Sequence, residues 1–296
     1  MRIVSLLPSA TEILFALGLG DDVLGVTHEC DWPAEARTKP VLLHSALPTA
    51  AEPAEIDRLV SASLSDGHSL YRLDHEAVAS IEPDLVITQN LCSVCALPSG
   101  EVEEALALLG SPANVVSLDP GSLEEVLGTV LRLGRLTGTG PAAEHLVDGL
   151  HERLAAVQRA VAGLPPPRTL ALEWSDPPFN AGHWVPEMIR LAGGACLLAE
   201  PGRPSVRMTP AAIGDARAET VVFMPCGYGL EAATKEGQAL LQWPELASAS
   251  QIYAVDANGY FSRPGPRLVD GVEILASVLH PGAVPPPPAG TIQRLR

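Results

Sequence analysis

The chain has 296 residues, enough for two separately cored units, and its 47% hydrophobic and 18% charged residues are those of a folded globular protein. Its 35 acidic against 19 basic residues give a formal charge of −16. No dense Lys/Arg cluster reverses that field, which excludes nucleic acid and anionic membrane surfaces as partners.

The opening MRIVSLLPSATEILFALGLG is apolar with one Arg, yet Pro8, Ser9 and Glu12 interrupt it and no small-residue cleavage motif follows. It reads as a strand over Ile3 to Leu7, a turn and a helix. Ser9 is the expected N-cap, Glu12 the returning arm of a capping box, and Gly18 and Gly20 the stop. Read this way the chain lacks a leader, and the expected location is cytoplasmic, or periplasmic or cell-surface if a leader has been removed. No apolar run of about 18 residues would cross a bilayer, so no membrane insertion is expected.

The next strand, Val23 to Val26, leads into Thr27-His28-Glu29-Cys30-Asp31-Trp32. A helix near Asp74 to Ser80, a strand at Leu85 to Thr88 and the loop QNLCSVCALPSG follow. After them come a helix at Glu101 to Leu109, a strand at Val115 to Leu118 and a helix after Ser122 with Glu125 in a second capping box. Short buried strands alternating with helices predict a parallel α/β sheet. Leu146, Leu150, Leu154, Val157 and Val161 then recur at helical spacing from Pro141 to Ala162, roughly 33 Å of helix at 1.5 Å per residue. Its length and the GLPPPR break after it favour a rigid connector over one more crossover.

The alternation then restarts. Strands are expected at Thr169 to Glu173, around Cys196 to Leu198, at Thr220 to Met224 and at Ile252 to Asp256. Helices are expected at Val185 to Leu191, from Thr209-Pro210, and from Pro266 to Leu279. The fold class is therefore α/β: two Rossmann-like lobes joined by one long connecting helix, with a cleft between the lobes. The expected bounds are an N-terminal lobe over 1–140, a connecting helix over 141–163, a C-terminal lobe over 164–284 and an exposed Pro-rich tail over 285–296.

Open parallel sheets bind ligands beyond the carboxyl ends of their strands. The loops leaving those ends carry three of the four Trp residues, Trp32, Trp174 and Trp184, and four of the five cysteines, Cys30, Cys92, Cys95 and Cys226. They also carry Asn90, His183 and Tyr260. Aromatics beside Gly and Pro turns suit a large flat ligand, although each Trp could equally seal its loop. His183, between Gly182 and Trp184, is the best placed imidazole for a cofactor metal. An odd number of cysteines favours free or metal-bound thiols over disulfides. Cys92 and Cys95 fit a redox pair poorly, because Leu97 to Gly100 separate them from the next helix. With Cys30 and Cys226 they would make four thiolates for Zn or an iron–sulfur cluster; inert packing is the plainer use of each. No GxSxG elbow, phosphate loop or HExxH helix is present.

Four stretches, IVSLLPSATEILFALGLGDDVLGVTHECDWP, IEPDLVIT, EWSDPPFNAGHWVPEMIRLAGG and SRPGPRLVDGVEILASVLHP, resemble the helical-backbone metal receptors. These are the periplasmic-binding-like proteins of cobalamin, haem and siderophore uptake, and the similarity covers nearly the whole chain up to the proline tail. HECDWP with NLCSVC resembles the subgroup described as cobalamin-binding. The resemblance implies two lobes on one long helix and a bulky metal complex held between aromatics, here Trp32, Trp174, Trp184 and Tyr260. It also implies an ABC transporter permease as partner if the protein is exported. Two features depart from the family: the absent leader and the cysteines on several loops. The expected function is non-enzymatic binding of cobalamin or a related corrinoid. The alternative is a cytoplasmic metalloprotein or enzyme with Zn or an iron–sulfur cluster on the cysteines.

Overall fold

A computed structural model describes residues 1–46, 53–65, 70–90, 99–108 and 112–296. They fall into two compact units, Met1–Pro120 with Leu127–Val147, and Gly121–Val126 with Asp148–Arg296.

The first unit runs β1 Ile3–Ser5, α1 Pro8–Ala16, β2 Val23–Thr27, β3 Val41–Ser45, α2 Pro53–Ser65, β4 Tyr71–Leu73, α3 His75–Ile81, β5 Leu85–Thr88, α4 Ser99–Leu108 and β6 Asn114–Ser117. Its sheet has the order β4-β3-β2-β1-β5-β6, parallel except where β3 meets β4. β1 and β5 are adjacent interior strands, and every one of their residues is buried, as in strands covered on both faces. Val4, Leu42, Leu43, Val86 and Val102 form its core.

The capping signals hold at α3 and fail at α1. Asp74 caps α3 by accepting the Ala77 N–H at 3.0 Å. Ser9 does not cap α1. The helix starts a residue earlier at Pro8, with Leu7 as N-cap and no side-chain cap bond. Proline's fixed φ suits a first helical turn and its missing N–H costs nothing there, so it takes the place a serine would otherwise hold. β3, α2 and β4 had no counterpart in the sequence reading, because their short apolar runs carry no strong caps or turns.

Two long helices follow, α5 Leu123–Thr137 and α6 Gly140–Val161. Both are divided between the units: Leu127 onward in α5 and α6 up to Val147 belong to the first, the remainder to the second. Each of these two helices thus carries residues of both units. At Gly134 a Cβ would collide with the Cβ of Ala143, so the α5–α6 turn closes on a residue without a side chain. Val147, Leu150, Leu154, Val157 and Val161 are the buried stripe of α6. On its other side Arg153 is bonded to Asp270 and Glu273.

The second unit continues with β7 Arg168–Ser175, β8 Pro178–Asn180, α7 Val185–Leu191, β9 Ala195–Cys196, α8 Pro210–Ala216, β10 Thr220–Phe223, α9 Leu230–Gly237, β11 Gln251–Val255, α10 Ala257–Tyr260, α11 Leu268–Leu279 and β12 Ile292–Arg294. The sheet order is β12-β11-β10-β7-β8, with β9 also on β7. β7, β10 and β11 run parallel, while β8 and β12 add antiparallel edges. Within the expected Pro-rich tail lies a strand, β12. The prolines at 285–288 end the preceding structure, but Ile292–Arg294 pair with Tyr253, Ala254 and Val255 and finish the sheet edge.

Candidate ligand-binding loops

In the second unit β7, β10 and β11 are neighbours pointing the same way, so the loops at their carboxyl ends emerge side by side. Backbone hydrogen bonds lace these loops together. The Cys226 N–H donates to the Glu173 carbonyl at 3.2 Å, and the Asn258 N–H donates to the Tyr228 carbonyl at 2.9 Å. The Gly227 N–H reaches the Ser262 hydroxyl at 3.4 Å, from a turn whose φ of +78° suits glycine. Trp174, half-buried at the end of β7, meets Tyr228 edge to face, with ring centres 5.7 Å apart and planes at 78°. The Trp174 Nε1 is buried and has no hydrogen-bond partner among the described residues. Ser175 beside it donates to Glu236. Tyr260, half-buried at the end of α10, lies under the Arg267 guanidinium, 5.6 Å from its ring centre.

His183 and Trp184 are adjacent in sequence and differ in role. The His183 backbone has φ +54° and is clamped on both sides. Its N–H donates to the Arg203 carbonyl at 2.6 Å, and its carbonyl accepts from the Gly202 N–H at 2.9 Å. Burial pushes the imidazole pKa below its ordinary value, which keeps a neutral ring able to bind a metal at neutral pH. Trp184 is only 6% exposed and its Nε1–H donates to the Phe261 carbonyl at 2.8 Å. It seals the start of α7 and offers no face to a ligand, which corrects its expected binding role.

In the first unit Trp32 is 51% exposed. With Glu12, Phe15, Pro33 and Glu35 it lines a depression of about 430 Å³. Asn90 is exposed and anchored locally: its Nδ2 donates to the Ser99 hydroxyl at 2.9 Å, its Oδ1 accepts from the Ser99 N–H at 2.8 Å, and its own N–H is held by Asp119. It fastens the loop end to the start of α4.

The shared thiolate site is not supported. Among the described residues no group of three or more His, Cys, Asp or Glu is placed to hold a metal. Cys30 is buried, with its sulfur 3.1 Å from the Thr11 hydroxyl and 3.4 Å from that of Thr27, a thiol satisfied by local partners. Cys226 is exposed on the other unit, while Cys92 and Cys95 lie outside the described residues. Cys196, which the sequence placed in an apolar strand, is held as a thiol, its pKa pushed up to about 11 by burial. Brief alkylation at pH 8 followed by peptide mass mapping is therefore expected to label Cys226 at least ~10-fold faster than Cys30 or Cys196, since reaction needs exposed thiolate. Equal labelling of Cys30 would show that its packing is wrongly placed.

Tyr228, Ser262 and Arg267 were not singled out from the sequence as site residues. The GYG triplet after a wholly buried strand was the available signal for Tyr228.

The family described as periplasmic binding protein matches residues 3–250. The vitamin B12-binding protein of Vibrio cholerae is 24% identical over 285 residues, covering 94% of this chain and 88% of that one. An uncharacterized ABC transporter substrate-binding lipoprotein of Bacillus subtilis is 27% identical over 288 residues, 95% of this chain and 80% of its own. Among solved structures, a periplasmic haem-binding protein of Pseudomonas aeruginosa superposes with a TM-score of 0.72 at 19% identity, covering 99% of this chain and 97% of the other. Among the described residues no helix is long and apolar enough to cross a membrane.

Proposed function

The chain belongs to the periplasmic binding protein family, and on that premise we propose that it captures cobalamin or a related corrinoid and presents it to an ABC transporter permease. The cytoplasmic location expected from the sequence loses its support with that membership, and a periplasmic or lipid-anchored location replaces it in this proposal. The assignment is to a binder of a bulky metal complex, with no catalytic role given to any residue.

The observation that carries the reading is the laced set of loops at the carboxyl ends of β7, β10 and β11, which presents Trp174, Tyr228 and Tyr260 on one edge of the sheet. Broad aromatic faces on a braced backbone suit a rigid macrocycle, because little side-chain and loop freedom is lost on binding. Burial of apolar ligand surface supplies the driving force, at about 25 cal/mol per Å². Trp174 and Tyr260 are the aromatic surfaces of the second unit proposed for the ligand, and His183 the imidazole proposed for its metal.

Haem is the second reading, favoured by the likeness to a haem-binding protein and by the guanidinium groups of Arg207 over Phe179 and Arg267 over Tyr260, which suit propionate groups. Separate titrations with aquocobalamin and with hemin, followed by absorbance and calorimetry, decide between them. Stoichiometric, micromolar-or-tighter binding of aquocobalamin with a shifted visible spectrum is expected. Binding of hemin alone would replace the corrinoid by haem, and binding of neither would overturn the proposal.

A further inference from the structure

We propose that Asn180 is a positioning residue for ligand binding: it fastens both ends of the segment Leu198–Val206, and that segment holds His183 where its imidazole meets the ligand's metal. The inference rests on the reading of His183 given above and adds what sets its position.

His183 has to be held. Its φ of +54° lies in the left-handed region, which is costly for a residue with a Cβ and persists only where the surroundings over-determine it. Those surroundings are one stretch of chain. The Arg203 carbonyl accepts the His183 N–H, the Gly202 N–H donates to the His183 carbonyl, and the Ser205 hydroxyl accepts the Gly182 N–H at 3.1 Å. The peptide groups on either side of His183 are thus bonded to residues 202–205.

Packing does little to keep that stretch in place. It runs irregularly between β9 and α8, and Leu198 and Val206, the apolar side chains at its ends, are both exposed. A cavity of about 310 Å³ lies against it, lined by Cys196, Leu198, Pro204 and Val206 among others. Little apolar surface is buried there to hold it down. The Arg190–Glu200 ion pair is exposed on both sides and adds little. Hydrogen bonds from Asn180 supply the fastening. Asn180 is only 3% exposed at the end of β8, a strand paired to β7, so the anchor belongs to the sheet. Its Nδ2 donates to the Leu198 carbonyl, its Oδ1 accepts the Val206 N–H at 2.6 Å, and its own N–H donates to the Val206 carbonyl at 3.1 Å. A carboxamide suits this place because it donates with one atom and accepts with another. One buried side chain therefore closes the loop that clamps His183.

The test compares Asn180→Leu, which keeps the size and removes both side-chain bonds, with Thr209→Ala. The latter loses the cap bond from the Ala212 N–H and serves as a control for stability alone. Aquocobalamin carries an exchangeable axial water, whereas both axial positions of cyanocobalamin are filled. In Asn180→Leu the ratio of aquocobalamin to cyanocobalamin affinity is expected to fall about tenfold, the size of losing a group that orients a metal ligand, and the visible shift of bound aquocobalamin to be lost. Hydrogen exchange of the His183 amide is expected to quicken on the order of tenfold while the amides of β10 stay as they are, the mark of a local opening. Thr209→Ala should change neither the His183 amide nor the affinity ratio. If Asn180→Leu does not fold, Ser205→Ala, which removes the acceptor of the Gly182 N–H, decides by the same readouts with smaller changes in the same direction. An unchanged His183 amide, an aquocobalamin affinity that does not fall, or an equal fall for both cobalamins overturns the inference and leaves corrinoid binding intact. Wild-type protein that binds aquocobalamin without a visible shift, or binds none, instead sinks the reading of His183 on which the inference rests.

Discussion

Trp184→Ala will lower stability by about 3–5 kcal/mol, the range for emptying a packed aromatic site. The side chain is almost wholly enclosed where α7 begins, and its Nε1–H is the donor for the Phe261 carbonyl. Truncation leaves both a cavity and a buried carbonyl without its donor. Trp184→Phe isolates the second effect. It fills most of the volume and leaves the carbonyl unpaired, so a loss of about 1–3 kcal/mol is expected. Urea unfolding measures both, with a lower midpoint and an unchanged slope as the signature of a pure stability effect. Ligand affinity of the folded Phe variant should stay within about threefold of the wild type, because a side chain that touches no ligand changes only the folded fraction. A Phe variant of full stability and lost affinity would return Trp184 to the binding site.

Gly182→Ala will have the next largest effect. A Cβ there would stand 2.7 Å from the Arg203 carbonyl oxygen and 2.7 Å from the Pro204 carbonyl carbon, and nearer still to the Ser205 nitrogen. All three are backbone atoms of a segment that also receives the His183 N–H, so no side chain can swing away to relieve the contact. Overpacking of this kind costs about 1–3 kcal/mol or more, and relief requires the 203–205 segment to retreat. His183 would move with it. The expected result is a lower unfolding midpoint together with weaker ligand binding, read by urea denaturation and titration on the same preparation. Gly149→Ala is the matched control: the glycine lies inside α6 with open space at its Cβ position, so alanine should be neutral or stabilising by up to about 1 kcal/mol. Unimpaired stability in Gly182→Ala would show that the loop yields freely and does not position His183.

Much of the fold was legible because its signals are local. Leu85–Thr88 and Thr220–Phe223 are short apolar runs bounded by turns, and both are fully buried parallel strands. Thr209 caps α8 through the Ala212 N–H, and Ser122 accepts the Glu125 N–H while Glu125 reaches back to Gly121, one residue before the bond a capping box predicts. The candidate site was legible only in outline. Gly- and aromatic-rich loops do follow the second sheet's strands, as their order in the chain indicated. Trp32 and Trp184 nonetheless look equivalent in sequence, each in a loop beside a candidate polar residue, and one is exposed while the other is sealed. Cys30 and Cys226 likewise look alike until one is found buried against two threonine hydroxyls and the other in solvent.

By itself the sequence determined the α/β alternation, most element positions, the anionic surface and the set of loops that carry the aromatics, since each follows from periodicity, turn chemistry or composition over a few neighbouring residues. Only tertiary structure decided which of those aromatics and thiols face outward, that the last residues close a sheet edge, and that Trp174 buries a donor with no hydrogen-bond partner among the described residues. The physical reason is that burial and hydrogen-bond satisfaction depend on partners distant in the chain, such as Trp184 on Phe261 or Cys30 on Thr11, and no local pattern records them.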